Sequence, residues 1–276
     1  MNKTQSPAVL VGIDGSDTAI GAALWAVDEA VSRSVPLRLL YVIRTKDVIT
    51  TSDLPSADAY AREVEHAKTA LRTAQAAVQA SGEPVKVETA ILEGPPGTAI
   101  IGESDGAEMI CVGTVGIGQY ARSILGSTAA ELAENALCPV AVIRQSQLGP
   151  SSRVGWIVVG SATAQPDQDA VVEFAMQEAQ IRHCPVLLLG TKQTPVDASE
   201  EALDREVQTW QQRYPDVRVY PIADRADVAR FVRTHDEPVA LAVVGPSDAN
   251  NLAEIIGRHG HLGHHHAVSS ALIVRR

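Results

Sequence analysis

The stretch GTVGIGQYARSILGST, Gly113–Thr128, follows an apolar run, Ala107–Val112, that is typical of a buried strand. Its glycines at positions 113, 116 and 126 lack a Cβ, which lets the backbone approach a ligand closely. A glycine-rich turn between a strand and a helix N-terminus exposes backbone N–H groups and binds anions. The stretch therefore predicts a strand, a phosphate-binding turn and a helix, in an α/β fold.

The segment that follows Gly126, STAAELAENA, predicts the helix of this motif. We expect Ser127 or Thr128 to cap it and Glu131 to lie in its first turn. A tight turn without a ligand is the alternative interpretation, since glycines after strands often serve only that purpose. The chain contains no P-loop lysine motif that would decide between the two.

The N-terminal region supports the interpretation as a binding site. The sequence AVLVGIDGSDTAIGAALWAVDEA predicts a strand, Ala8–Ile13, and an amphipathic helix separated by Asp14-Gly15-Ser16. A carboxylate at the carboxyl end of a parallel strand lies where open α/β sheets bind ligands. Asp14 and the glycine-rich turn are therefore expected to belong to one site.

Four motifs over residues 8–144 resemble the universal stress protein family. These are VGIDGS from Val11, LLYVI from Leu39, CVGTVGIG from Cys111 and LGSTAAELAENALCPVAVIR from Leu125. In that family, members with the glycine and serine motif bind ATP, and members without it do not. The chain looks like a tandem, actinobacterial-like member whose first domain binds ATP, with Mg²⁺ arriving on the nucleotide.

The resemblance implies a role for each residue that matches the family motif. The residues that would cradle the phosphates are Gly113, Gly116, Gly126, Ser127 and Thr128. The residues that would contact adenosine are Gly12, Ile13, Asp14 and, through its backbone, Val42.

Strands alternate with helices along the whole chain, which predicts parallel sheets with right-handed crossovers. The predicted elements include the strands Leu37–Ile43, Val85–Leu92 and Met109–Gly113 and the helices Gln168–Arg182 and Asn250–Gly257. After a linker-like segment, Gln145–Arg153, the pattern of the first half restarts, which indicates duplication of a whole domain. We expect two tandem doubly wound domains of the adenine-nucleotide alpha hydrolase-like type, residues 1–148 and 149–276, each with a five-stranded parallel sheet and flanking helices. The resemblance implies the strand order 3-2-1-4-5.

The second half departs from the binding motif. It has Gly160-Ser161-Ala162 where Asp14 would align, and Gly245 is followed by Pro246, which lacks a backbone donor. A degenerate domain with a lost or altered ATP site is therefore expected. Asp167 and Asp169 follow the first strand of this half and are the alternative source of the missing carboxylate.

A dense histidine cluster lies near the C-terminus. Its members are His259, His261, His264, His265 and His266. Histidines in this number could bind Zn²⁺ or Ni²⁺ or respond to pH, and an exposed loop with incidental histidines is the competing interpretation. No metal site is assigned on this pattern alone.

Composition narrows the function classes. The net charge is −10 and no basic run occurs, so binding to nucleic acid or to an anionic membrane is not expected. The absence of an apolar signal region and of any run of about 18 apolar residues predicts a cytoplasmic protein.

The expected function is that of an ATP-binding stress-response regulator. No catalytic set is assigned, because Ser16, Asp17, Arg122 and Ser123 are the only polar candidates near the predicted site. An ATP-independent interaction scaffold and a slow ATPase remain as alternatives.

The expected partners are ATP, an unidentified protein and a copy of the same fold. The family suggests pairing through the last strands, here Val140–Arg144 and Leu272–Arg276. That pairing could form a homodimer or join the two domains of one chain.

Overall fold

The computed structural model describes most of the 276-residue chain. The described ranges are 6–44, 57–114, 125–144, 155–162, 168–190, 196–223, 227–235, 237–257 and 269–275. The chain divides into two compact units, Met1–Gln145 and Ser146–Arg275.

The first unit alternates five strands with four helices. In chain order they are β1 (Val9–Gly12), α1 (Asp17–Arg33), β2 (Leu37–Ile43), α2 (Ala57–Ala80), β3 (Val87–Glu93), α3 (Pro96–Ile101), β4 (Met109–Gly113), α4 (Ser127–Asn135) and β5 (Val140–Ile143). All neighbouring strands are parallel, in the order β3-β2-β1-β4-β5. The expected strand order is therefore confirmed for this unit.

The second unit repeats the same topology. Its elements are β6 (Trp156–Gly160), α5 (Gln168–Arg182), β7 (Val186–Leu189), α6 (Val196–Arg213), β8 (Val219–Ile222), α7 (Val228–Thr234), β9 (Val239–Val244), a 3-10 helix (Pro246–Asn251), α8 (Leu252–Ile256) and β10 (Ser270–Ile273). Its parallel strands run β8-β7-β6-β9-β10, which is the order of the first unit. The doubly wound α/β fold predicted from the sequence is confirmed.

Small and branched apolar residues explain the packing of the first unit. The residues of β4 from Met109 to Val112 and those of β5 are buried, as expected for strands covered by helices on both faces. Helix α1 presents a stripe of alanines that lets it lie close to the sheet. Its buried alanines are Ala19, Ala22, Ala23, Ala26 and Ala30.

A repeated ion pair marks the duplication. Glu29 bonds to Arg33 one turn later in α1, at 3.1 Å, and Glu178 bonds to Arg182 in α5, at 2.9 Å. Both glutamates are completely buried. Each helix is followed by a residue with positive φ, and this second shared feature supports descent from one ancestral domain.

The predicted elements fit the observed ones closely, with differences at their ends. The third strand begins at Val87, two residues later than predicted, because the Val85 N–H bonds to Glu83 in a turn. The predicted helix Asn250–Gly257 is a 3-10 turn that begins at Pro246 and continues as α8. Proline has no N–H to place inside a helix, and its fixed φ suits the first helical position.

Within the described ranges, no helix has both the length and the apolar character needed to cross a membrane.

Candidate functional site

The crevice at the carboxyl ends of β1 and β4 is the topological switch point of the first unit. β1 pairs with β2 on one side and with β4 on the other, so the chain passes from β1 to one side through α1 and from β3 back across to the other side through α3. Open α/β sheets bind their ligands at such points.

Asp14 lies two residues after the end of β1 and shapes the turn into α1. Its carboxylate accepts hydrogen bonds from the Ser16 N–H, at 3.0 Å, and from the Ser16 hydroxyl, at 2.6 Å. Gly15 between them has a φ of 87°, a conformation that glycine adopts without steric cost. Ser16 in turn caps α1 by accepting from the Ala19 N–H. The negative charge thus lies at the positive end of a helix.

Two glycines at this edge are explained by packing within the protein. A Cβ on Gly113 would lie 2.8–2.9 Å from the backbone of Thr18, so β4 meets the first turn of α1 without a side chain between them. A Cβ on Gly12 would lie 3.1 Å from Val112 and 3.4 Å from Ile100. Glycine is therefore needed at 113 whether or not a ligand approaches.

The two residues that border the predicted phosphate loop, Thr114 and Gly126, are joined by a hydrogen bond. Thr114 is buried, its N–H bonds to the Ile143 carbonyl at 3.1 Å, and its carbonyl accepts from the Gly126 N–H at 2.7 Å. The chain therefore leaves the sheet at Thr114 and returns beside it at Gly126. Gly116, the central glycine of the motif, lies outside the described residues.

Helix α4 begins at this point of return. Its N-cap is Gly126, which provides no side-chain cap, so the prediction of Ser127 or Thr128 as the cap is wrong. Both residues lie in the first turn of the helix, with Ser127 exposed and Thr128 half-buried. The first N–H groups of a helix have no acceptor within it, so they are available at the crevice.

Glu131 lies beyond the first turn of α4, contrary to the prediction. It accepts a hydrogen bond from the Thr98 hydroxyl at 3.1 Å and fills the space that a side chain on Gly97 would need. The glutamate thus joins α4 to α3 and does not cap its own helix.

Val42 presents backbone groups toward β1. The Leu40 carbonyl accepts from the Ile13 N–H at 2.8 Å, whereas the Ile43 carbonyl accepts from Gly94 on the β3 side. Because backbone groups alternate along a strand, the N–H and C=O of Val42 face the same side as those of Leu40. The register of β1 and β2, which pairs Gly12 with Leu40, places them beyond the last residue of β1.

Tyr41 is a buried polar residue at this edge that sequence analysis missed. Its hydroxyl lies 3.4 Å from Nδ1 of His66 in α2. Burial raises the pKa of the Tyr41 hydroxyl above its usual value, and the carboxylates of Glu63 and Asp14 add to the rise. Tyr41 is the central residue of LLYVI, and this apolar pattern gave no sign of the contact with His66.

The corresponding edge of the second unit has different chemistry. Ser161 follows β6 and is buried, and its hydroxyl donates to Oε2 of Glu206 in α6. The Ala162 N–H donates to Oε1 of the same carboxylate at 2.8 Å. Of the two alternative aspartates, Asp169 is exposed in the first turn of α5, and Asp167 lies outside the described residues.

The loop after β9 also differs from its counterpart after β4. A Cβ on Gly245 would have no neighbour closer than 3.8 Å, so this position lacks the close contact that Gly113 makes. Burial raises the pKa of the Asp248 carboxyl above its usual value, and the carboxylate of Asp227 raises it further. The histidine cluster, His259–His266, lies outside the described residues.

The fold and the strand-end crevice define a doubly wound α/β protein made of two repeats. The model of the universal stress protein family matches residues 7–144. Universal stress protein Rv2624c of Mycobacterium tuberculosis H37Rv is 51% identical over 269 residues, covering 97% of this chain and 96% of that protein. Universal stress protein Rv2028c of the same strain is 37% identical over 279 residues, covering 99% and 98%. The chain therefore belongs to the universal stress protein family.

Similarity to a solved structure extends over the whole length. A universal stress protein from Archaeoglobus fulgidus DSM 4304 has a TM-score of 0.71 with this chain and covers 99% of it, and 97% of that chain is matched. The two sequences are 14% identical, so this similarity shows the fold alone.

Proposed function

We propose that the first unit binds ATP at the ends of β1 and β4 and that the chain acts as a nucleotide-dependent regulator. The observation that carries this proposal is convergence at one edge of the sheet. Asp14, the backbone groups of Val42 and the start of α4 come from three distant parts of the sequence and meet around the switch point. The family motif supports the choice of ATP.

The phosphates would lie at the start of α4. The first N–H groups of this nine-residue helix, including those of Ser127 and Thr128, carry the positive end of the helix dipole. Gly116 belongs to the loop that starts and ends there. Mg²⁺ commonly keeps its waters and binds through substrate phosphates, so we propose that it enters with ATP.

The adenosine would lie toward β2. An ionised carboxylate offers about four lone-pair sites, so Asp14 can accept from a ribose hydroxyl while it also holds Ser16. The Val42 N–H and C=O can pair with the edge of the base, which needs one donor and one acceptor. Gly12 and Ile13 would flank the nucleoside, as the family resemblance implies.

ATP is proposed to act as a ligand and not as the substrate of a fast reaction. Fast hydrolysis needs a positioned water and cationic stabilisation of the γ-phosphate. At this edge the Ser16 hydroxyl already bonds to Asp14 and caps α1. Binding would instead favour one conformation and change the affinity for a protein partner. Phosphate release that disappears in Asp14→Ala, and that follows the protein through every purification step, would favour the slow ATPase.

The test is a calorimetric titration of the intact chain with ATP and Mg²⁺, beside two variants. Gly116→Glu adds bulk and negative charge to the phosphate loop and is expected to abolish binding. Gly102→Glu adds the same side chain at the exposed end of α3, where the nearest atom to a new Cβ is an Ala99 carbonyl at 3.4 Å. This control is expected to bind ATP like the unchanged protein.

Two results would contradict the proposal. Normal binding in Gly116→Glu would place the site elsewhere. No binding of ATP by the unchanged chain would favour the ATP-independent scaffold, in which the glycines serve packing alone.

A further inference from the structure

The end of β6 in the second unit matches the end of β1 residue by residue. The Ser161 N–H bonds to the Leu189 carbonyl at 2.8 Å, as the Ile13 N–H bonds to the Leu40 carbonyl at 2.8 Å. Ser161 therefore corresponds to Ile13, and Ala162 takes the position of Asp14. The groups at this point are those that a ligand would meet in a functional copy of the fold.

These groups are occupied by a carboxylate from the unit's own helix α6. Glu206 uses one oxygen for the Ser161 hydroxyl and the other for the Ala162 N–H. Ser161 is only 2% exposed, so its hydroxyl would be costly to leave without an acceptor. Hydrogen bonds to an ionised carboxylate are roughly twice as strong as those between neutral groups.

A second side chain, that of Gln168, also bonds to the carboxyl end of β6. The Gln168 side-chain amide donates to the Gly160 carbonyl at 3.3 Å, and its oxygen lies 3.9 Å from where a Cβ on Gly245 would be. Gln168 thus stands between the ends of β6 and β9. This is the position that corresponds to the crevice of the first unit.

We propose that Glu206 is an internal ligand that locks α6 onto the end of β6 and keeps the second unit closed to nucleotides. The carboxylate holds the strand-end donors, and its charge opposes the approach of a phosphate. The lock belongs to the second unit, so it operates whether or not the first unit binds ATP.

The helices over the two sheets are therefore held in different ways. In the first unit, α2 reaches the strand ends through Tyr60, whose hydroxyl donates to Glu93 of β3 at 2.5 Å, and through the 3.4 Å approach of His66 to Tyr41 of β2. In the second unit, α6 is bonded through Glu206 to the two residues that follow β6.

Hydrogen exchange of the α6 amides tests the lock in the full-length chain. Glu206→Ala is expected to speed exchange in α6 and at Ala162 by about tenfold or more, as loss of a charge-assisted hydrogen bond would. Glu206→Gln, which can still accept from Ala162, is expected to give a smaller increase. Glu201→Ala removes an exposed glutamate from the same helix and is expected to leave exchange unchanged.

Exchange in Glu206→Ala that equals exchange in Glu201→Ala would overturn the lock. If Glu206→Ala fails to fold, the same comparison is made with Glu206→Gln, for which an unchanged rate would also overturn it. None of these measurements contains nucleotide, so their outcome is independent of the proposed ATP site.

A further arm tests closure directly. ATP with Mg²⁺ is added to a chain that carries Gly116→Glu, in which the first unit is disabled. The proposal predicts unchanged exchange throughout α6 and at Ala162. Slower exchange there would show that the second unit binds the nucleotide, and closure by Glu206 would be wrong.

Discussion

The ends of β1 and β6 lie at the same place in two copies of one fold, and each has a carboxylate beside it. At β1 the carboxylate comes from the next turn of the chain, Asp14, and organises the start of α1. At β6 it comes from Glu206, forty-four residues after Ala162, and bonds to the strand end itself. The same charge thus holds the turn after the first strand of one unit and the end of the first strand of the other.

The comparison shows that two copies of one fold can keep the same topology and differ in the chemistry of their strand ends. The strand order and the buried Glu–Arg pair of the first helix are common to both units. Among the described residues, the differences at the carboxyl ends of the strands include Asp14 against Ala162 and the packing of Gly113 against that of Gly245. Substitutions at these ends test which differences affect ATP binding and which affect stability.

The largest expected difference in stability concerns the glycines that end β4 and β9. Gly113→Ala would force a Cβ to within 2.8 Å of the Thr18 backbone and is expected to destabilise the first unit by about 2 kcal/mol. Gly245→Ala meets nothing closer than 3.8 Å and should change the second unit by less than about 0.5 kcal/mol. Native-state hydrogen exchange of the β4 and β9 amides measures both. Equal effects would mean that the two strand ends are packed alike.

The two carboxylates are expected to separate binding from stability. Asp14→Ala should weaken ATP binding at least tenfold in calorimetric titration, because the ribose loses its acceptor, and Glu206→Ala should leave that affinity unchanged. Conversely, Glu206→Ala should lower the free energy of unfolding of the second unit by about 2 kcal/mol, since it strips a buried hydroxyl and an amide of their acceptor. An ATP affinity that falls equally in both variants would contradict the division of roles.

The helix caps give a smaller and more symmetric effect. Ser16 caps α1 in the first unit, and Asp227 caps α7 in the second by accepting from the Arg230 N–H at 2.7 Å. Ser16→Ala and Asp227→Ala should each cost about 1 kcal/mol in urea unfolding. A much larger loss for Ser16→Ala would show that the Asp14 turn depends on the serine hydroxyl for its geometry.

The smallest effect concerns pH and only the second unit. The folded-state pKa of Asp248 is raised, so its protonated form favours folding and this contribution is lost as pH rises through the folded-state pKa. Asp248→Asn should therefore raise the Tm of the second unit slightly at neutral pH. The gain should shrink as pH falls through the raised pKa toward the ordinary aspartate range. A gain that is independent of pH would contradict the electrostatic cause.

The sequence predicted the central elements well because their apolar patterns are unambiguous. The bounds of β2, β4 and α5 agree with the prediction at both ends. The strand order came from the family resemblance, since periodicity does not specify which strands are neighbours. The ends of elements were less predictable where a turn competed with a strand or helix, as at Val85.

The site was predicted less completely. Asp14 was correctly placed at the end of the first strand because an acidic residue after an apolar run is a local signal. The close approach of Thr18 to Gly113 and the bond from Glu206 to Ser161 are long-range contacts, and no local pattern encodes them. For that reason the sequence showed that the second unit lacks the binding motif, but it did not identify Glu206 as the residue bonded at the end of β6.

The most direct test of one open and one closed unit is to denature the freshly purified chain and measure the adenine nucleotide that it releases. Gly116→Glu and Gly102→Glu are treated in parallel, and samples without bound nucleotide are first loaded with ATP and Mg²⁺. The account predicts one nucleotide per chain, lost in Gly116→Glu and retained in Gly102→Glu. Two nucleotides per chain, or one that survives Gly116→Glu, would contradict it.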